Sequence, residues 1–232
     1  MDQLIESRTK RTRRLLEAGI VAGPLFVLIV LIQLAITPGF DIGRHPISLL
    51  SLSDNGWIQI ANFVLSGLLA IAFAAGTRRV LTGRGSTWGP RLLTLYGLGL
   101  VAGGVFLADP GLGFPPGTPD GIPSTFSWHG TIHAFAPPSA LTALIGAIIV
   151  FARRFAGRGE RGWVLYSALT VVAALALVMS MGFEGASLRL ALATAIGWAW
   201  VTALASRLMA GREDTAQQVS RRRAESASPA TQ

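Results

Sequence analysis

The chain has 232 residues, 51% of them hydrophobic and only 14% charged, with no cysteine and a formal net charge of +8. A soluble domain of this size needs a polar exterior that this composition does not supply, and the lack of cysteine removes disulfides, thiolate nucleophiles and Cys-based metal sites. The positive charge lies beside apolar stretches rather than along one amphipathic face, so the expected partner is the lipid bilayer with its anionic headgroups, not nucleic acid.

A bilayer core of about 30 Å takes about 20 apolar helical residues, and six stretches meet that requirement. They are residues 15–37, 57–76, 92–109, 128–152, 163–183 and 187–209. The first follows Arg8, Lys10, Arg11, Arg13 and Arg14, as a secretory signal would. Its apolar run is longer than the roughly 7 to 15 residues of a signal core, so it reads as a retained span. Pro24 inside it reads as a kink, and Glu17 near its basic end as a side chain snorkelling toward the headgroups.

Eighteen of the twenty Lys and Arg residues fall on one side of these spans. They form the N-terminal cluster, then Arg78, Arg79, Arg84 and Arg91, then Arg153, Arg154, Arg158 and Arg161, then Arg207, Arg212 and Arg221 to Arg223. Arg44 and Arg189 alone fall on the other side. With loops this short the bias sets orientation, and both termini are expected in the cytoplasm. Trp57 and Trp128 at outer ends, with Trp88 and Trp163 at inner ends, sit where indoles prefer the headgroup layer. The expected fold is an all-α membrane protein, a bundle of six transmembrane helices at 15–210 behind a basic N-terminus at 1–14. The tail at 211–232, poor in large apolar residues, is expected to be disordered, its arginines touching anionic lipid.

Within the third span Gly97, Gly99, Gly103 and Gly104 read as surfaces for close helix approach, since no strand precedes them to make a phosphate loop. Nine of the next fourteen loop residues, Pro110 to Pro123, are Pro or Gly, so this outer segment is irregular. In the fourth span Pro137 and Pro138 would free the carbonyls of His133 and Ala134, and a bend or break is expected there.

All three histidines fall on the outer side. His129 and His133 are four apart at the start of span four, a spacing that puts both rings on one helical face. Counting about 20 residues from the inner ends places His133, Asp109 and Glu184 near the same outer boundary. Asp109 precedes Pro110 and should stand at a helix end facing the loop. Loop one adds Asp41, Arg44, His45 and Ser48, and Arg189 opens span six. Ionisable groups at such depth are costly unless they pair or line a wet cavity, so these nine residues form the candidate site. His129, His133 and Asp109 have the ligand types for zinc or another divalent cation, with Gly130 standing where a zinc protease would carry its glutamate base. Ion pairs tying helix ends, or a wet site for a headgroup or proton, are the readings without metal.

At DIGRHPISLLS leading into WIQIANFVLSGLLAIAFAAG, and again at ADPGLGFPPGTP followed by SWHGTIH, the chain resembles the bacterial and archaeal membrane family DUF998. The likeness runs from about the first span to the sixth and excludes both tails. It implies a six-helix integral protein of the bacterial plasma membrane and no established activity, with family-like positions at His45, Pro46, Ser48, Asp109, Pro110, His129, His133 and Arg189. The site inventory is also similar to that of ceramidase-like membrane hydrolases, which set three histidines, an aspartate and a serine around zinc. Helix number and motif order differ from theirs.

Three functions compete. A non-enzymatic membrane protein would bind a lipid headgroup, an ion or a partner at the outer site, and this is the expectation adopted. A zinc-dependent hydrolase would activate water against an amide or ester of an outer-leaflet lipid. A proton-coupled transporter is disfavoured, because it would need ionisable groups near the bilayer midplane, where these spans have none. Nothing in the sequence specifies an oligomeric state.

Overall fold

The computed structural model describes the backbone over residues 2–180 and 185–227, and side chains over 6–180 and 185–211. Among these residues there are six α-helices and no strand: α1 (Asp2–Ile36), α2 (Gly56–Val80), α3 (Trp88–Val105), α4 (Trp128–Ala156), α5 (Arg161–Met179) and α6 (Ala186–Ala227). A short 3₁₀ turn, Ile47–Leu52, lies in the loop between α1 and α2. Five helices are long and apolar enough to cross a membrane, α3 being the exception. It has 18 residues, or about 27 Å at about 1.5 Å per residue, and its first turn carries Pro90 and Arg91.

The helices close a ring in chain order, each packing on the next and α6 returning to α1. Trp198 of α6 fills the centre, its ring 5.1 Å from that of Tyr96 on α3 and 5.7 Å from that of Phe26 on α1. Trp200 lies against Phe151 of α4 and donates its indole N–H to Ser167 of α5 at 3.1 Å. That bond ties in the helix with the least buried surface, whose exposed Leu165, Leu169 and Val172 suit a lipid-facing side. Arg78 and Arg79 end α2, and Arg153 and Arg154 end α4, where cations complement the helix dipole.

Three expectations change. Span three ends at Val105 rather than 109, so Asp109 stands in the loop between α3 and α4, four residues beyond the helix. Phe106 is already extended at φ −97° and ψ 109°, and the carbonyls that follow find side-chain donors instead of helical amides. Helix α4 runs unbroken through Pro137 and Pro138, with enough residues on either side for the hydrogen-bond ladder to resume. Helix α6 is continuous past Gly211 to Ala227, over residues that composition assigns to the tail.

The glycines of α3 divide by what a side chain would meet. A Cβ on Gly97 would sit 2.6 Å from the Gly67 carbonyl, and one on Gly99 2.8 Å from Ala140. A Cβ on Gly103 would have no atom within 4 Å. Gly97→Ala is therefore expected to cost about 1–3 kcal/mol through overpacking, whereas Gly103→Ala should be neutral or stabilise by up to about 1 kcal/mol. Thermal denaturation of the two purified variants beside wild type checks this, and equal losses would contradict it.

Candidate functional site

A polar cap at one end of the bundle is built from the first loop, the Pro/Gly-rich loop and the start of α4. Asp41 turns the first loop by accepting the Gly43 amide at 2.8 Å, and its own N–H donates to His45 Nδ1 at 2.9 Å. With Nδ1 accepting, His45 Nε2 carries the proton and donates to the Leu112 carbonyl at 3.1 Å. The buried ring sits between Phe40 and Phe114, with centroids 5.2 and 5.3 Å away. Leu112 itself has φ of 59°, a costly conformation for a leucine, held by its N–H on the Gly121 carbonyl and its C=O on His45. Arg44 pairs with Asp120 at 2.8 Å on the exposed rim, and its carbonyl accepts the Ser187 hydroxyl at 2.8 Å.

Ser127 organises the second half. It caps α4, accepting the Gly130 amide at 3.0 Å, while its hydroxyl donates to Asp109 Oδ1 at 2.6 Å and its amide to Oδ2 at 2.9 Å. The Ser127 hydroxyl holds the Asp109 pKa below the usual carboxylate range, with its amide and the nearby His129 and His133 acting the same way against a desolvation that opposes them. Gly130 is explained by the same approach: a Cβ there would collide with the Asp109 carboxylate.

His129 Nδ1 lies 3.1 Å from the Leu107 carbonyl and 3.1 Å from the Ser127 hydroxyl. A carbonyl only accepts, so Nδ1 bears the proton. His133 Nδ1 likewise donates to the Phe106 carbonyl at 2.7 Å. All three histidines thus spend a ring N–H on the segment that leaves α3. Asp109 is engaged through both carboxylate oxygens by Ser127. Among the described residues no group of three His, Cys, Asp or Glu is placed to hold a metal ion.

Of the remaining candidates, Arg189 lies half-buried in the first turn of α6 beside Gly185, and Glu184 lies outside the described residues. Ser48 is buried and, with His133 and Ser187, lines a cavity of about 80 Å³ that extends down to Phe26, Tyr96 and Leu144. Ser127, Ser187 and Tyr96 were not among the sequence candidates. Ser127 was within reach, since a serine just before an apolar helical run is an N-cap signal, whereas Ser187 and Tyr96 have no local signature.

Helices of this length and apolarity, closed into a ring under a polar cap, define a helical multi-pass membrane protein. The chain belongs to the DUF998 family, described as a protein of unknown function, whose model matches residues 20–207. No curated protein and no solved structure matches it significantly.

The cap has an acid limit. Because the Asp109 pKa is lowered in the folded protein, its contribution is complete above the unfolded value of about 3.9 and is lost as pH falls through the lower, folded one. Asp109→Asn should lower the melting temperature at pH 7 and narrow the gap to wild type by pH 3. Ser127→Ala should cost about 1 kcal/mol, a typical cap loss. A constant Asn gap across that range would refute the ionised-carboxylate role.

Proposed function

We propose that the chain is a six-span protein of the bacterial plasma membrane with both termini in the cytoplasm, and that it is a non-catalytic receptor for a small membrane-resident molecule. The ligand would sit in the outer half of the ring, beneath the cap. The observation that carries this reading is Tyr96: the residue is 3% exposed and lines the cavity, and its buried hydroxyl has no hydrogen-bond partner among the described residues. Buried polar atoms are satisfied in the great majority of cases, so a phenol hydroxyl left open beside an internal space points to a bound group.

The threading is supported by the basic clusters at the inner ends of α2 and α4; α3, at about 27 Å, falls short of a core of about 30 Å, and the residues after Val105 would complete its crossing. Catalysis has less support. Ser127 caps a helix while donating to Asp109, and His45 uses both ring nitrogens, so neither forms a nucleophile and base pair.

A reporter fused after Gln232 should score as cytoplasmic, and cysteines replacing Thr118 or Ser124 should react with impermeant thiol reagents from outside. Protein purified in detergent should retain a non-covalent small molecule, recovered by extraction and mass spectrometry. Gly103→Leu, which grows into the cavity without meeting backbone, should lose it. Wild-type protein that carries nothing beyond its detergent would end the receptor reading.

A further inference from the structure

Arginines converge at the end of the bundle opposite the cap. The loop joining α2 to α3 and the loop joining α4 to α5 both lie there. Arg154, in the last turn of α4, fastens the first of these loops by donating through Nη1 to the carbonyls of Thr82 and Arg84, both at 2.7 Å. Gly85 follows closely, since a Cβ on it would lie 3.5 Å from Val150 and 3.7 Å from Arg154. The result is an open cleft of about 530 Å³ lined by Thr82, Arg84, Arg154, Gly157 and Arg158, with no Asp or Glu in its wall.

The three guanidiniums in this cleft are poorly neutralised. Among the described residues Arg84 and Arg154 pair with no carboxylate, and Arg158 shares Glu160 with Arg207, each at 3.2 Å. The Arg84 side chain reaches across to the other loop, where a Cβ added to Gly157 would lie 3.6 Å from its Nη1. Like charges gathered around one opening repel unless an anion stands between them, and the planar fork of arginine matches the oxygens of a phosphate. Other arginines at this end are disposed differently. Arg78 and Arg79 end α2 on exposed surface, and Arg91 lies over the Trp88 ring, 5.5 Å from its centroid.

Apolar surface adjoins the cleft. Trp88 comes four residues after Arg84 and Ile149 five before Arg154, and both are exposed, as is Leu95 further along α3. A soluble anion has no use for such a surface, whereas the chains of a lipid do. We propose that the cleft binds the phosphate of an anionic glycerophospholipid: Arg84 and Arg158 bond its oxygens, Arg154 is the positioning residue that holds the loop in place, and the acyl chains lie along Trp88, Leu95 and Ile149. A zwitterionic choline headgroup is disfavoured, because it would bring its own cation among the guanidiniums. With both termini in the cytoplasm, as proposed above, this lipid belongs to the inner leaflet. The site is separate from the cavity beneath the cap and stands whether or not that cavity holds a ligand.

The test uses full-length protein in neutral detergent, offered equal amounts of phosphatidylglycerol and phosphatidylcholine with the same chains, and counts retained lipid by native mass spectrometry. Wild type should favour phosphatidylglycerol by about tenfold, the gain from one charge-assisted hydrogen bond. Arg84→Gln and Arg158→Gln should each bring the ratio close to one. Arg78→Gln and Arg91→Gln remove the same charge outside the cleft and should leave the ratio unchanged. Arg84→Gln removes a side chain without an acidic partner, so its melting temperature should match wild type. Inorganic phosphate, added at the concentration of the lipid, should not displace phosphatidylglycerol.

Three results would overturn the proposal. Wild type without a preference would show that the cleft selects no anion. Equal losses in Arg78→Gln and Arg84→Gln would assign the preference to diffuse charge. Displacement by inorganic phosphate would give the cleft to a soluble anion instead of a lipid.

Discussion

The structure depends on satisfying the backbone carbonyls of one irregular segment, Phe106 to Leu112. Helix α3 stops at Val105, so these residues follow an apolar helix without helical partners. An unpaired carbonyl in hydrocarbon costs several kcal/mol. The three histidines supply the missing donors, from Nδ1 of His133 to Phe106, Nδ1 of His129 to Leu107 and Nε2 of His45 to Leu112. Two come from α4 and one from the first loop, so meeting the backbone's demand also fastens three parts of the chain together. Asp109 and Ser127 add a fourth fastening between the same segment and the start of α4.

That role assigns the rings differently from their spacing. Two imidazoles four residues apart on a helix have the geometry of a chelate, and nothing in the sequence says which nitrogen is already engaged. The engagement is set by carbonyls 22 and 27 residues away in the chain. An Nδ1–H held by a carbonyl is also how a protein fixes a tautomer and aims Nε2. His133, clamped in this way, is thus both a structural tie and a directed acceptor.

What could be read from the sequence follows the range of the interaction. Apolar length and the basic clusters are local properties, and they located all six helices, with Arg153 and Arg154 or Arg78 and Arg79 marking helix ends. The end of α3 was misplaced by four residues because Phe106 to Ala108 are apolar enough to continue a helix, whereas the Phe106 and Leu107 carbonyls take histidine donors in place of helical amides. The glycines of α3 looked alike in sequence, yet Gly97 faces a backbone and Gly103 an open space, a distinction that exists only after helices pack. Gly130 seemed a missing catalytic glutamate and proves to be the contact surface for Asp109.

The uncharged polar residues of α1 and α2 were passed over altogether, since a search for charge does not see amides. Gln33 donates to Gln59 at 2.7 Å, and Asn62 reaches both Gln59 and the carbonyl of Phe26, with all three side chains fully or almost fully buried. Lipid tails offer helices little hydrophobic reason to associate, so such bonds between helices choose the partner and its register. Phe26, whose carbonyl is held by Asn62, also lines the cavity, as does His133, held by Phe106. Two hydrogen-bond systems that share no residue therefore pin the lining of the same space. A cavity whose lining is fixed in this way needs little reorganisation to receive a ligand, which lowers the entropic cost of binding. On this argument the polar residues within the bundle and those of the cap serve one end, a preformed space below His133.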